Sequence, residues 1–394
     1  MIRDSKIHKG TLPDANAYIR YCAYALQNRF KQTIDDYHRF PSIELPVSTN
    51  PFHIQEALND FQFPEVTYHK NGARSSKPVE EFLRNTETIA LLILKDNKLL
   101  FEQYCFGYER SSLFRLYSIT KSVMSILVGI AVDKGLIESV NDSISKYLPG
   151  LRVSGIEELT IESLLLMHSG IYFTGIKMPF HEASKIYFTN NCRRLIKKIR
   201  ISDPVDSYFH YNDYHLLLLT LIIENVTGKS LIDFLWENLL EPLGWEFPLL
   251  LTIDSTKNKF PKMESGVVCR AIDLAKLGLM LLNDGKVNNK NIVSTQWIKA
   301  STAPNTMVIE KEYYRHYKEK PWGRMCFYKG LGYYKYLWWG NPIDAMTYDF
   351  YAMGILGQFL YVSPRKNTVI IRLGKRWGIH GWLPQILKEI ADKL

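Results

Sequence analysis

Phe114-Arg115-Leu116-Tyr117-Ser118-Ile119-Thr120-Lys121-Ser122-Val123, running into Leu127-Val128-Gly129-Ile130-Ala131, is the stretch whose reading decides the fold. From Ser118 onward the apolar residues fall at helical spacing, with Val123, Ile126, Leu127, Ile130 and Ala131 on one stripe and Gly135 at its end. Ser118 and Lys121 stand three apart, one turn along the same helix face. A serine in the first turn lies at the positive end of the helix dipole, which favours an oxyanion developing there. A lysine held beside it in a desolvated pocket is expected to lose basicity and accept the serine proton. The spacing alone is not specific, because Ser143-Ile144-Ser145-Lys146 and Ser363-Pro364-Arg365-Lys366 share it. Neither of those opens an apolar helix. Ser118 does.

The segments beyond the Ser118 helix keep a definite order. Lys134-Gly135-Leu136-Ile137, Val140-Asn141-Asp142 and Lys146-Tyr147-Leu148-Pro149 come first, then Leu159-Thr160-Ile161 and Leu164-Leu165-Leu166-Met167-His168-Ser169-Gly170. Together with the Ser118 helix, this succession resembles the class C β-lactamase and penicillin-binding-protein-like family of serine hydrolases, from about Thr88 to the C-terminus. The resemblance implies an α/β fold of the β-lactamase/transpeptidase type: an antiparallel sheet flanked by helices, with an all-helical lobe inserted.

The family's second motif, Tyr-x-Asn, is matched by Tyr211-Asn212-Asp213. The resemblance makes Tyr211 the partner of Lys121 in moving the proton, and a phenol beside a cationic lysine is expected to ionise more easily. Asp213 stands where the family often has asparagine, so an amide donor to substrate is replaced by a carboxylate. The third motif is matched to Gly354-Ile355-Leu356-Gly357-Gln358 on a strand beside the nucleophile. There Gly357 would keep the strand open for substrate, and the Gln358 N–H would form the oxyanion hole with that of Ser118. Ile355 replaces the basic residue that faces a ligand carboxylate in β-lactam-processing members. The "Gly-x-x-Gly-Gln" stretch and Tyr336-Leu337-Trp338-Trp339 look like the branch of esterases and 6-aminohexanoate-oligomer hydrolases.

Outward from this core, residues 1–87 read as an N-terminal extension and 88–394 as the hydrolase domain, with the helical lobe roughly at 120–310. Ala15 to Tyr37 looks helical, followed by a stretch broken by Pro41, Pro46, Pro51 and Pro64. Ile89–Leu94 and Leu99–Tyr104 form a hairpin by pattern, and Ala352–Val362 reads as one continuous strand before Val369–Leu373. Helices are expected at 161–167, 214–226, 271–283 and 383–394.

The bulk properties remove other classes. The chain has 394 residues, 46% of them hydrophobic, and a formal net charge of +9. No zinc-finger spacing, RNP pattern or basic tail accompanies that charge, so no nucleic-acid partner is expected. The run Arg193, Arg194, Lys197, Lys198 and Arg200 alternates with apolar residues as a solvated helix face does. Apolar runs are too short for a membrane span, and the first residues carry no apolar leader region. Five scattered cysteines fit free thiols. The cytoplasm is the expected location. No CxxC or HExxH supports a metal, and no cofactor is expected. Gly228-Lys229-Ser230 fails as a P-loop because Ile223 occupies the upstream glycine position, and no Gly-x-Ser-x-Gly elbow exists. His168 and Ser169 read as structural, Tyr172 as a candidate pocket-lining residue, and His380 as a member of an aromatic cluster with Trp377 and Trp382.

The expectation is therefore a serine hydrolase that cleaves a small-molecule ester or amide through a Ser118 acyl-enzyme, with Lys121 and Tyr211 as general base and acid. Alternatives of other classes are a biosynthetic acyltransferase and a catalytically weak binding or sensor protein on the same scaffold.

Overall fold

The computed structural model of the chain describes residues 5–28, 31–58, 63, 65–70, 73–175, 178, 180–304, 311–344, 346–379 and 381–394. Its largest sheet takes two strands from before the nucleophile and five from the far end of the chain. In chain order these are β1 (Thr88–Lys95), β2 (Lys98–Tyr104), β3 (Tyr333–Lys335), β4 (Trp338–Pro342), β5 (Tyr348–Gly354), β6 (Gln358–Ser363) and β7 (Thr368–Gly374). Their spatial order is β3-β4-β5-β6-β7-β1-β2, antiparallel throughout. The β1–β2 hairpin turns through Asp96 and Asn97, both at positive φ, a conformation that short polar residues tolerate.

Four helices frame the site: α1 (Ile119–Asp133), α2 (Tyr214–Thr227), α3 (Ala271–Leu282) and α4 (Leu383–Asp392). Helix α3 lies so close to the sheet that a Cβ on Gly278 would stand 2.4 Å from Val369 Cγ1 and 2.9 Å from Leu360 Cδ1. Successive strand residues point to opposite faces. Leu360 meets α3, so its neighbour Tyr361 faces away, and there the Tyr361 hydroxyl and the Pro384 carbonyl of α4 both lie 3.4 Å from the Asn341 amide. Helices therefore cover both faces of the sheet.

The N-terminal residues are woven into the body. Lys6–His8 pairs with Ser42–Leu45, which pairs with Leu249–Thr252, then Val267–Cys269 and finally Phe114–Arg115, the strand that leads into Ser118. The helix expected from Ala15 to Tyr37 is shorter. It runs from Ala17 to Asn28, and a separate 3₁₀ turn occupies Asp36–Arg39. The single strand expected over 352–362 is a hairpin. β5 ends at Gly354, Ile355–Gly357 turn with Leu356 and Gly357 at positive φ, and β6 begins at Gln358 opposite Gly354. Among the described residues no single helix is long and apolar enough to cross a membrane, although α2 and Leu231–Leu243 pass together as a bent pair. All five cysteines are free thiols.

Candidate active site

The turn into Ser118 is built by a strained approach. Phe114–Arg115 ends in Leu116, whose N–H donates to the Val267 carbonyl at 2.9 Å. Tyr117 then adopts φ +49, unfavourable for a bulky residue, and α1 starts immediately after Ser118. Two contacts hold Tyr117 there. Its hydroxyl donates to the Thr33 carbonyl, and the Arg115 guanidinium lies over its ring at 5.0 Å. That guanidinium also lies 4.9 Å from the Phe40 ring and 5.2 Å from Tyr187, fully buried among three aromatic faces. The Thr120 hydroxyl accepts from the Val267 N–H at 3.1 Å, fixing the first turn of α1 to the neighbouring strand.

Lys121 projects from that first turn into a closed setting, its side chain only 3% exposed. Its ammonium meets three oxygens: Ser118 Oγ at 3.1 Å, the Glu264 carbonyl at 2.8 Å and Asp213 Oδ1 at 2.9 Å. The Tyr211 ring centroid lies 4.9 Å away. Burial alone would depress the lysine pKa, but Asp213 first, then Tyr211, outweigh it, and the pKa is raised. This reverses the expected direction. The reason is the aspartate at the family's asparagine position, which lends Lys121 a full negative charge.

Tyr211 sits just before α2, its ring centroid 4.9 Å from the Lys121 ammonium, and Ser118 and Lys121 both act to lower its pKa. Burial raises its pKa more than the nearby lysine lowers it, with Asp213 adding to the rise, so the phenol is held neutral. That too corrects the expectation of an easily ionised tyrosine. Its backbone N–H donates to the Tyr317 hydroxyl at 2.7 Å, and its ring packs beside Tyr334 and Trp339, at 5.8 and 5.9 Å. Asn212 turns inward and is buried. Its amide donates to the Ile171 carbonyl at 2.9 Å while its oxygen accepts from the Tyr214 N–H at the start of α2. Asp213 is the member of the pair that faces the lysine.

The 167–171 loop is the mount for this second motif. The Met167 carbonyl accepts from the His210 N–H at 2.7 Å. His168 is held between Asp206 at 2.9 Å and the Tyr313 hydroxyl at 3.2 Å, and Ser169 bonds His215 at 2.6 Å, so both serve the scaffold.

The third motif meets the nucleophile differently from the sequence expectation. Gly354 is the residue that backs onto the nucleophile strand: a Cβ there would lie 2.3 Å from the Leu116 carbonyl and 3.3 Å from Tyr117 Cβ. Ile355 comes next, at the tip of the turn, 43% exposed. Gly357 does not line an open strand; it is buried in the turn, where a Cβ would strike the Arg372 guanidinium. Gln358 is fully buried, its backbone belongs to the β5–β6 ladder, and its amide is tied to Gly374 by bonds of 2.7 and 3.2 Å. A buried, ladder-paired residue is poorly placed to offer an N–H to substrate. Tyr172 also stands apart. It is exposed, stacked against Arg200 at 4.7 Å, and among the described residues no hydrogen bond or ring contact ties it to Ser118, Lys121 or Tyr211. His380 lies outside the described residues; Trp377 and Trp382 do pack together at 5.7 Å.

The competing Ser-x-x-Lys stretches lead nowhere. Lys146 is paired with Glu138 and Asp142 at the surface, and Ser363 bonds Asp349 at the end of β6. No group of three or more histidine, cysteine or acidic residues among the described residues is arranged to hold a metal ion. Two contributors had no sequence signal. The Glu264 carbonyl acts through the backbone, and the Thr33–Phe40 segment reaches the site only through tertiary contact.

Comparison with known proteins places the fold in a family. Residues 78–380 match the family model described as Beta-lactamase. Over 347 residues the chain is 25% identical to the 6-aminohexanoate-dimer hydrolase of Paenarthrobacter ureafaciens, covering 80% of this chain and 81% of that one. It is also 25% identical over 221 residues to the teichoic acid D-alanine hydrolase of Staphylococcus aureus, which spans 50% of this chain and about half of that protein (53%). Among solved structures, a Bacillus anthracis protein provisionally named a 6-aminohexanoate-dimer hydrolase superposes with a TM-score of 0.74 at 19% identity, covering 92% of each chain. With a serine, a lysine and a tyrosine converging at the head of α1 and the family model spanning most of the sequence, this chain belongs to the Beta-lactamase family of serine hydrolases.

Proposed function

We propose that the chain hydrolyses a small ester or amide through an acyl-enzyme on Ser118. The observation that carries this reading is the contact of Ser118 Oγ with Lys121 Nζ at 3.1 Å, with the Tyr211 ring centroid 4.9 Å from the same ammonium. With the Lys121–Tyr211 pair in the form that has lost one proton, Ser118 Oγ attacks the carbonyl carbon and its proton passes to the pair. As the tetrahedral intermediate collapses, the bond to the leaving group breaks and the same pair returns the proton to the departing oxygen or nitrogen. Water then repeats the sequence against the acyl-enzyme, restoring Ser118 and releasing the acid.

The oxyanion rests on two backbone N–H groups. One belongs to Ser118, at the head of α1, where the helix dipole assists it. The other is assigned to Ile355 in place of Gln358, because the β5–β6 turn brings Gly354 against Leu116 and leaves its neighbour open to the cleft. Ile355 and Asp213 together disfavour substrates with a carboxylate near the scissile bond. One offers no cation, and the other places a negative charge there. Penicillins and D-Ala-D-Ala termini are accordingly poor candidates.

Turnover of a panel of short-chain esters, anilides and benzylpenicillin by wild type and Ser118→Ala tests the proposal. Esters or anilides are turned over by wild type, and the variant loses several orders of magnitude, roughly as an acyl-transfer triad does on losing its nucleophile. Undiminished turnover in the variant overturns it.

A further inference from the structure

We infer that the site selects acyl groups bearing an ammonium one carbon from the scissile carbonyl, that is, aminoacyl esters or amides with a free α-amino group, and that Asp213 is the residue that recognises it. This rests on the acyl-enzyme reading above and adds the substrate class.

The first support is hydrogen-bond chemistry. An asparagine at position 213 would offer substrate an N–H donor, whereas an ionised aspartate can only accept. Asp213 Oδ1 meets Lys121 at 2.9 Å. Among the described residues no hydrogen bond to Oδ2 is present, and the side chain is 19% exposed beside a lysine that is itself buried. A carboxylate oxygen left open beside the nucleophile suits a cationic donor.

Distance then fixes where on the substrate that donor must be. Asp213 Oδ1 and Ser118 Oγ both touch Lys121 Nζ, so they are separated by no more than the 2.9 and 3.1 Å legs laid end to end. A carbonyl carbon poised for attack sits roughly 3–3.5 Å from the nucleophile. An α-nitrogen lies only about 2.5 Å from that carbon, from standard bond lengths and angles. An α-ammonium thus falls within reach of the carboxylate. An amino group at the end of a long acyl chain reaches it only by folding back over the ester.

The surroundings agree. The Tyr211 ring flanks the space, backed by Tyr334 and Trp339, and aromatic faces stabilise a cation. A substrate carboxylate here would face Asp213, whose Lys121 partner is already engaged.

The test compares alanine methyl ester with methyl propionate, identical but for the amino group, at a pH where the amine is protonated. Hydrolysis is followed by pH-stat for wild type and Asp213→Asn. Each rate is normalised to the hydroxide-catalysed rate, because the ammonium ester is intrinsically the more reactive. Wild type is expected to prefer the alanine ester roughly 10- to 100-fold in kcat/KM, the span of a hydrogen bond to a charged group. Asp213→Asn is expected to bring that ratio close to one. Any effect of Asp213 on Lys121 is common to both esters and cancels in the ratio. The preference should also fade as pH rises past the α-amino pKa of about 8. An equal preference in wild type and variant overturns the inference. Wild-type hydrolysis of both esters through Ser118 with no preference overturns it while leaving the acyl-enzyme reading intact. Failure of wild type to hydrolyse either ester overturns both.

Discussion

Replacing Asp213 by asparagine keeps the shape of the side chain and removes one unit of charge 2.9 Å from Lys121 Nζ. In the native site that charge raises the lysine pKa and also contributes to raising the Tyr211 pKa. Whichever of the two takes the proton from Ser118, the reactive form is the deprotonated one. A raised pKa therefore moves the acid limb of the pH–rate profile upward, and removing Asp213 must move it downward. An opposite charge at such a distance shifts a pKa by roughly 1–3 units, so the limb should fall by about that much. Below the limb, each unit enlarges the reactive fraction about tenfold. The weaker base also pulls less strongly on the serine proton, so the net gain in kcat/KM near neutrality is smaller, roughly 3- to 30-fold if about half the basicity is felt in the transition state. Methyl propionate is the substrate for this experiment, since it lacks the amine that Asp213 would bind. Both groups are raised above their ordinary values of about 10, so the assay is pH-stat hydrolysis from about pH 7 to pH 11, where the wild-type rate should still be climbing at the alkaline end and the variant should level off earlier. A limb that stays in place, or moves to higher pH in the variant, would refute the electrostatic reasoning.

Other consequences can be checked separately. Tyr211→Phe leaves the ring packing against Tyr334 and Trp339 but removes the hydroxyl proposed to move the proton with Lys121, so kcat should fall roughly 10²- to 10⁴-fold with the fold unchanged by circular dichroism. Phe40→Ala empties a buried site beneath the Arg115 guanidinium and should cost about 3–5 kcal/mol in denaturant unfolding. Gly278→Ala gains about 1 kcal/mol of helix propensity but forces a Cβ to 2.4 Å from Val369 Cγ1 in the packed core, where overpacking costs roughly 1–3 kcal/mol. A lower denaturation midpoint is therefore expected, and a higher one would show that the sheet yields at that point.

The parts of the fold legible in sequence are those where one period persists. The apolar runs of Ile89–Leu94 and Leu99–Tyr104 and the helical stripe after Ser118 reappear as β1, β2 and α1. The ordered segments from Gly135 to Gly170 located the family because their spacing is set by the scaffold that mounts Tyr211. The hairpin at Gly354–Gln358 was hidden because its turn residues Ile355 and Leu356 are as apolar as the strands they join; the positive φ of Leu356 leaves no mark in composition. The hairpin buries Gln358 in the β5–β6 ladder, which is the ground for proposing the Ile355 N–H as the second oxyanion donor. Ser42–Leu45 was hidden for another reason: a four-residue strand shows no period, and its partner Leu249–Thr252 is far away along the chain. The replacement of asparagine by Asp213 was visible as a departure, but its consequence for Lys121 depended on which way the carboxylate faces. Only the structure gives that direction.

Intact-mass analysis after incubation with a fluorophosphonate tests the central claim most directly. The account predicts one adduct on wild type, mapped to Ser118, and none on Ser118→Ala. Labelling that persists in the variant, or an unlabelled wild type that nonetheless turns over esters, would contradict it.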